Sequence, residues 1–295
     1  MIKADSSKPL IRQGWLRVLL YIVALLLISG ITLAIYIASK FKGNLSAASG
    51  LNMNTPALQL LPVLPVLVVT YIFRRWVDRE SINSLGLMFR GYGKQAVAGG
   101  ALAIFTLCAA ALFLRITGHL KWVDFIFDAR ALFLAFGSTA LLAFFTELVF
   151  RGYMLNNLIS SFPGWLALTI STLLYLVFNP ANTFFSFDFF TWTNTIIFGL
   201  LLGLNYLYTK NLWFSIFFHM GWKFFLGPVL GVSGNEYFQT LLESELNGGV
   251  NITGGAKGLE GSVTLLAASL LSLIALYVIL RSKSNPLSQP VPGRI

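Results

Sequence analysis

Long apolar runs, separated by short polar stretches, make up most of this sequence. A helix that crosses a bilayer needs about 20 mostly apolar residues, and eight runs reach or approach that length. The predicted spans are Trp15–Ser39, Pro56–Phe73, Gln95–Leu114, Ala131–Leu158, Gly164–Phe178, Phe190–Tyr208, Leu212–Val232 and Ser262–Leu280. The pattern predicts an all-α fold, a polytopic membrane helical bundle with about eight transmembrane helices.

The composition agrees with a membrane protein. Of the 295 residues, 56% are hydrophobic, 15% are aromatic and only 11% carry a charge, whereas an ordinary soluble domain has roughly 25% charged residues. So few charges cannot cover the surface of a water-soluble protein of this size. The composition excludes a cytosolic enzyme, a nucleic-acid-binding module and a secreted disulfide scaffold, and it makes the lipid bilayer the predicted environment.

The basic residues predict the orientation in the membrane. The formal net charge is +10, from 21 Lys and Arg against 11 Asp and Glu, and basic residues collect in cytoplasmic loops. With both termini cytoplasmic, fourteen Lys and Arg lie in inner segments and six in outer segments. The sequence therefore predicts a multi-pass protein of the cell membrane with both termini in the cytoplasm, and no nucleic acid is needed to explain its charge.

The order of spans and loops predicts three regions. Residues 1–94 hold two spans and a basic cytoplasmic loop, residues 95–232 form the helical core, and residues 233–295 hold an outer loop, the last span and a tail. The outer loop, 233–261, contains seven Gly and four Glu, and so much Gly predicts a flexible segment. This acidic loop and the basic loop 74–94 are the candidate surfaces for a partner.

Glu147 and Arg151 lie inside the fourth predicted span, where an ionisable group costs a few kcal/mol. Because they are four residues apart, they share one helix face. One interpretation is an ion pair that lets both charges enter the membrane. The other is part of a catalytic or binding site, and the spacing alone leaves both open.

Two further polar positions belong to later spans. Asn179 follows the fifth span and precedes Pro180, a position typical of a cap at a helix end. His219 and Lys223 lie one turn apart in the seventh span. A histidine there is expected to be a hydrogen-bonded core residue, and a role as proton acceptor needs a partner carboxylate.

Together these positions resemble the CAAX protease and bacteriocin-processing (CPBP) family of intramembrane proteases, which includes prenyl-protein endopeptidases and lysostaphin resistance protein A-like proteins. The family pattern is Glu-Glu-x-x-x-Arg on one helix, Phe-x-x-x-His on the next and His-x-x-x-Asn on a later one. The resemblance covers roughly residues 95–232. It matches Glu147 to the second Glu, Arg151 to the Arg and His219 to the third-motif His, and these are the candidate catalytic residues.

Other positions of the same motifs carry different residue types. Thr146 takes the position of the first Glu, Asn179 that of the second-motif His and Lys223 that of the last Asn. Tyr175 takes the position of the Phe. The resemblance implies that the first Glu and the second-motif His position and deprotonate a water molecule, and that the last His and Asn support the oxyanion.

These replacements weaken the hydrolytic machinery that the resemblance implies. Neither the Thr146 hydroxyl nor the Asn179 amide is a useful base, whereas the Lys223 ammonium can still stabilise an oxyanion. If the family used a metal, the two replacements would remove good ligands and leave neutral oxygens, and Lys223 would repel the cation. The sequence therefore predicts neither a metal nor a cofactor.

Several functional hypotheses follow. The first is a non-catalytic pseudoenzyme of this fold that binds a membrane or cell-envelope partner, with Glu147 held between the cations Arg151 and Lys223. The second is an active, divergent endopeptidase that uses Glu147 as base and His219 with Lys223 for the oxyanion. The third is a small-molecule or ion transporter, which is less favoured because the polar residues are few. An unrelated function stays open.

Overall fold

Helices of ten or more residues account for all eight predicted spans. The computed structural model describes residues 8–41, 58, 61–178, 188–234 and 239–282. Within these ranges the long helices are α1 (Gly14–Phe41), α2 (Val63–Ile72), α3 (Gly93–Ile116), α4 (Ala129–Glu147), α5 (Gly164–Phe178), α6 (Phe189–Thr209), α7 (Trp213–Phe224) and α8 (Val263–Leu280). Each predicted span overlaps one of them, which confirms the all-α, polytopic class.

Among the residues that the structure describes, four helical stretches are long and apolar enough to cross a membrane by themselves. They are Gly14–Phe41, Gly93–Ile116, Ala129–Leu158 and Val263–Leu280. The outer surfaces of these helices carry many exposed large apolar side chains, including Leu27, Phe105, Phe133 and Ile279. Such a surface suits lipid rather than water, and the protein is therefore embedded in a membrane.

Three of the helices continue into π-helical turns. These stretches are Phe73–Val77 after α2, Leu148–Leu155 after α4 and Phe225–Val229 after α7. A last short α-helical piece, Asn156–Leu158, completes the long fourth span. π-helical turns are rare and occur often at functional sites, and the longest one here begins directly after Glu147.

Glycines allow the central helices to approach each other closely. A Cβ atom at Gly99 of α3 would lie 2.2 Å from the carbonyl oxygen of Phe214 in α7. A Cβ atom at Gly199 of α6 would lie 2.8 Å from the Thr172 side chain of α5. The helices α3, α4, α5, α6 and α7 therefore surround one tightly packed core, which holds the motif residues.

The segment 239–261 is more ordered than the sequence suggested. Strand β1 (Leu120–Phe125) pairs antiparallel with β2 (Leu242–Leu246) in a two-stranded ribbon, and the Trp122 indole donates to the Leu230 carbonyl oxygen at 3.1 Å. The expectation of flexibility from Gly content is thus wrong for residues 239–261. Gly254 and Gly258 have φ angles of 84° and 60°, so these glycines serve turns that other residues rarely adopt. The three-region division of the chain stays a prediction.

Candidate functional site

Glu147 is the buried acceptor at the centre of the motif residues. It ends the regular part of α4, and its side chain has no solvent exposure. Its Oε1 accepts a hydrogen bond from the Arg151 guanidinium at 3.0 Å and lies 2.8 Å from the His219 Nδ1 atom of α7. The ion pair predicted from the four-residue spacing is confirmed.

The hydrogen bond to Glu147 fixes how His219 is oriented. An ionised carboxylate can only accept, so the imidazole Nδ1 carries the shared hydrogen. The ring is held between Phe198 and Tyr175, whose centroids lie 4.9 Å and 6.5 Å from it. His219 therefore has the partner carboxylate that a proton acceptor needs, and Nε2 is the ring nitrogen left to exchange a proton.

The Arg151 guanidinium makes three kinds of contact. Besides the Glu147 carboxylate, its guanidinium reaches the Gly199 carbonyl oxygen of α6 at 3.3 Å. Its Cζ atom lies 4.6 Å from the centroid of the Tyr175 ring. A cation over an aromatic face gains up to about 2 kcal/mol when both are desolvated. Tyr175, at the family's Phe position, thus supplies an aromatic face for the buried cation.

The structure brings together four of the motif positions. Glu147, Arg151, Tyr175 and His219 converge between α4, α5, α6 and α7. Thr146 precedes Glu147 in α4 and is half-buried. Asn179 lies outside the described residues, so its predicted role as a cap or motif residue stays a prediction.

Lys223 does not pair with Glu147, and this part of the prediction is wrong. Its Nζ atom lies 2.9 Å from Oε1 of Glu260, which the Trp222 indole also approaches at 3.4 Å. The place of the second partner of Glu147 is taken by His219. The reason is that Lys223, one turn beyond His219, is in the last turn of α7, where the segment before α8 supplies a nearer carboxylate.

Glu260 is a site residue that the sequence analysis placed on an exposed acidic loop. It lies in a 3₁₀ turn, Leu259–Gly261, which Asn194 of α6 fixes by donating to the backbone oxygens of Glu260 and Ser262 at 2.9 Å and 3.1 Å. Burial raises the pKa of the Glu260 carboxyl, but the Lys223 ammonium, the hydrogen bonds from Lys223 and Trp222, and His219 together outweigh burial and hold that pKa below its ordinary value. A lysine in a span needs a counterion, and this requirement could have identified a nearby glutamate as a site residue from the sequence.

A small cavity adjoins this second ion pair. It has a volume of about 20 Å³ and lies between α6, α7 and the Glu260 turn. Its walls include Thr191, Asn194, Trp222, Lys223 and Glu260. The Tyr175 and Phe198 rings form the wall towards the motif residues, so the cavity is next to the Glu147–His219 pair and separate from it.

A second buried ionic cluster ties α1 to the π-turn after α2. Asp78 is 1% exposed and accepts from Arg17 at 3.2 Å and from Arg74 at 2.8 Å. Tyr153 and Asn157 also donate to its carboxylate, each at 3.3 Å. The basic loop 74–94 is therefore not exposed throughout, because Arg74 is used inside the protein. In the sequence, this cluster was indicated by arginines at the ends of apolar runs, which need an acidic partner.

The donor atoms at the site do not form a metal centre. Within the described ranges, no three His, Cys, Asp or Glu side chains are grouped closely enough to hold a metal ion. The Glu147 oxygen that faces His219 is already bonded to the Arg151 guanidinium, which would repel a cation. The residues present do not fit a metal, and the predicted absence of a cofactor stays a prediction.

The comparison with known proteins agrees with the motif geometry. No curated protein matches the chain. A family model does match the segment that contains α4, α5, α6 and α7, the helices that carry Glu147, Tyr175 and His219. Residues 128–225 are similar to the type II CAAX prenyl endopeptidase Rce1-like family, which confirms the CAAX-protease resemblance predicted from the motifs.

Proposed function

We propose that this membrane protein of CAAX-protease-like type is catalytically impaired at the family positions and acts by binding a membrane or cell-envelope partner. The state of Glu147 is the observation that supports impairment. Its carboxylate is fully buried and its Oε1 is bonded to both Arg151 and His219. A carboxylate held in this way serves as the counterion of a buried cation, and the preceding residue, Thr146, has a hydroxyl that is not basic.

The exposed ribbon of β1 and β2 supports the proposal that the protein binds a partner. Glu243 and Glu245 are exposed on β2, where they lie opposite Asp124 and Lys121 of β1. Three of these four side chains are acidic, and both strands belong to the outer loops in the predicted orientation. We propose this acidic ribbon as the surface for an envelope partner that presents basic groups.

The test of impairment is a cleavage assay on prenylated peptides with the purified protein. We expect no product above the level of a His219→Ala control. Restoring the two family residues together, by Thr146→Glu and Asn179→His, is expected to produce cleavage if the scaffold is otherwise intact. Cleavage by the unchanged protein that His219→Ala abolishes would contradict impairment.

One observation favours a second candidate, a divergent and active endopeptidase. His219 lies 2.8 Å from a carboxylate, and an imidazole oriented in this way can serve as a general base. In this case cleavage by the unchanged protein would be lost in both Glu147→Gln and His219→Ala, and retained in Thr146→Ala. The same assay therefore separates the two candidates.

The partner proposal has its own experiment. The variant with Glu243→Gln and Glu245→Gln should capture less of a basic envelope partner, with the melting temperature unchanged. A matched control neutralises Arg90 and Lys94, which are exposed on the basic loop, and should capture as much as the unchanged protein. Equal capture by all three proteins would contradict a role for the ribbon.

A further inference from the structure

The cavity beside Lys223 and Glu260 contains polar atoms that the protein itself leaves unsatisfied. Asn194 and Thr191 of α6 are each 5% exposed and both line it. The Asn194 Oδ1 and Thr191 Oγ1 atoms are buried and have no hydrogen-bond partner among the described residues. A buried polar atom without a partner costs about 1–3 kcal/mol, so two of them at one cavity point to a ligand.

The helix geometry places Thr191 and Asn194 at the same cavity. Thr191 and Asn194 are three residues apart and therefore lie on one face of α6. Asn194 uses both hydrogens of its amide on the backbone oxygens of Glu260 and Ser262. Its Oδ1 can only accept, so the ligand must donate to Asn194, whereas the Thr191 hydroxyl can donate or accept.

The charge and the volume of the cavity select a neutral ligand of the smallest size. The Lys223 ammonium repels a cation and the Glu260 carboxylate repels an anion, and together the pair contributes no net charge. The volume is about 20 Å³, and a cavity needs about 10–15 Å³ to hold one water molecule. Water also has the two donors and two acceptors that these four groups require.

We propose that this cavity is a binding site for one structural water molecule. The water donates to Asn194 Oδ1, exchanges a hydrogen bond with Thr191 Oγ1 and bridges to the Lys223–Glu260 pair. It thereby joins α6, α7 and the turn before α8 on the outer side of the motif residues. The inference goes beyond the proposed function, because Glu147, Arg151 and His219 do not line the cavity, and it holds whether or not the chain hydrolyses peptides.

A threonine-to-valine comparison tests the site, since the two side chains have nearly the same shape. Removing a hydroxyl that is bonded to water lowers the stability of the protein, whereas removing a buried hydroxyl that has no partner does not. Thr191→Val should therefore lower the melting temperature in detergent by about 2–4 °C. The matched control is Thr193→Val on the same helix, whose hydroxyl donates to the Phe189 carbonyl oxygen at an exposed position. That oxygen keeps its main-chain hydrogen bond within α6 when the hydroxyl is removed, so Thr193→Val should lower the melting temperature by less than Thr191→Val does.

The second measurement is the density in the cavity at high resolution. We expect one peak within hydrogen-bond distance of both Asn194 Oδ1 and Thr191 Oγ1, and its loss in Thr191→Val. A cavity without density in the unchanged protein would overturn the proposal. So would a Thr191→Val protein that melts at the same or a higher temperature.

Discussion

Lys223 is one helical turn from His219, yet its ammonium pairs with Glu260 at 2.9 Å, thirty-seven residues further along the chain. The lysine occupies the family's Asn position, and its charge is neutralised by the turn that precedes the last helix. The Glu147 carboxylate is consequently left to Arg151 and His219. The charges of α4 and α7 are therefore neutralised at two separate places, the motif residues and the C-terminal end of α7.

Replacing Glu147 should lower the stability of the protein strongly, because it breaks a buried ion pair. Glu147→Ala leaves the Arg151 guanidinium buried without its carboxylate, and breaking a buried pair costs about 3–5 kcal/mol. Thermal melting in detergent should show a large drop for this variant. The exposed Glu243→Ala is the control and should melt like the unchanged protein. If Glu147→Ala also melted unchanged, the carboxylate would not be a structural counterion.

The Lys223–Glu260 pair should show measurable coupling in a double-mutant cycle. Lys223→Gln and Glu260→Gln should each lower stability, and the double variant should lose less than the two separate losses combined. Because both side chains are partly exposed, at 36% and 19%, the coupling should be about 0.5–1 kcal/mol. The cross-strand residues Lys121 and Glu245 face each other on the exposed ribbon without a hydrogen-bonded ion pair, so they are the control and should show weaker coupling. Strict additivity at Lys223 and Glu260 would contradict the assignment.

The same carboxylate predicts how stability depends on pH. In the folded protein the Glu260 pKa lies below its ordinary value of 4.5, since burial, which raises it, is outweighed by Lys223 together with Trp222 and His219. Its contribution is complete above that ordinary value and is lost as the pH falls through the lower folded-state pKa. The difference in melting temperature between the unchanged protein and Glu260→Gln should therefore shrink on acidification from about pH 7 to about pH 3. A difference that grows on acidification would reverse the sign and refute the pairing.

Asp78 should be as important for folding as Glu147, although no family motif includes it. Asp78→Ala leaves two buried guanidinium groups, those of Arg17 and Arg74, and the expected loss is again about 3–5 kcal/mol. Detergent melting measures the loss, with the exposed Asp124→Ala on β1 as the matched control. Equal melting of the two variants would show that the cluster does not hold α1 to the bundle.

The orientation in the membrane is open to direct measurement. The excess of basic residues in inner segments predicts that reporter fusions at residues 50, 120 and 245 are outside and fusions at residues 85 and 210 are inside. The buried Arg17, Arg74 and Arg151 take part in internal ion pairs, so exposed loop residues such as Arg79 and Arg90 carry the signal. Reversed readings at two or more sites would show that the orientation is wrong.

Local patterns in the sequence predict the helices and the first ion pair. The eight apolar runs each contain a helix because burial in lipid requires every backbone group to bond within its own segment. The spacing of Glu147 and Arg151 predicts their contact because the helix repeat alone places them on one face. The resemblance of the motifs to the CAAX-protease family is likewise readable, since each motif lies within one helix.

Only the tertiary structure decides which distant charges meet. Glu260 and Lys223 are on different segments, as are Asp78 and Arg17, which are sixty-one residues apart. A basic residue near the end of a span indicates that an acidic partner is present, but helical periodicity does not identify a partner on another segment. The ordered outer ribbon was missed for the same reason: β1 and β2 pair across more than one hundred residues, and no local pattern encodes that pairing. The sequence determines the helices and their internal pairs, whereas helix packing determines the ion pairs between segments.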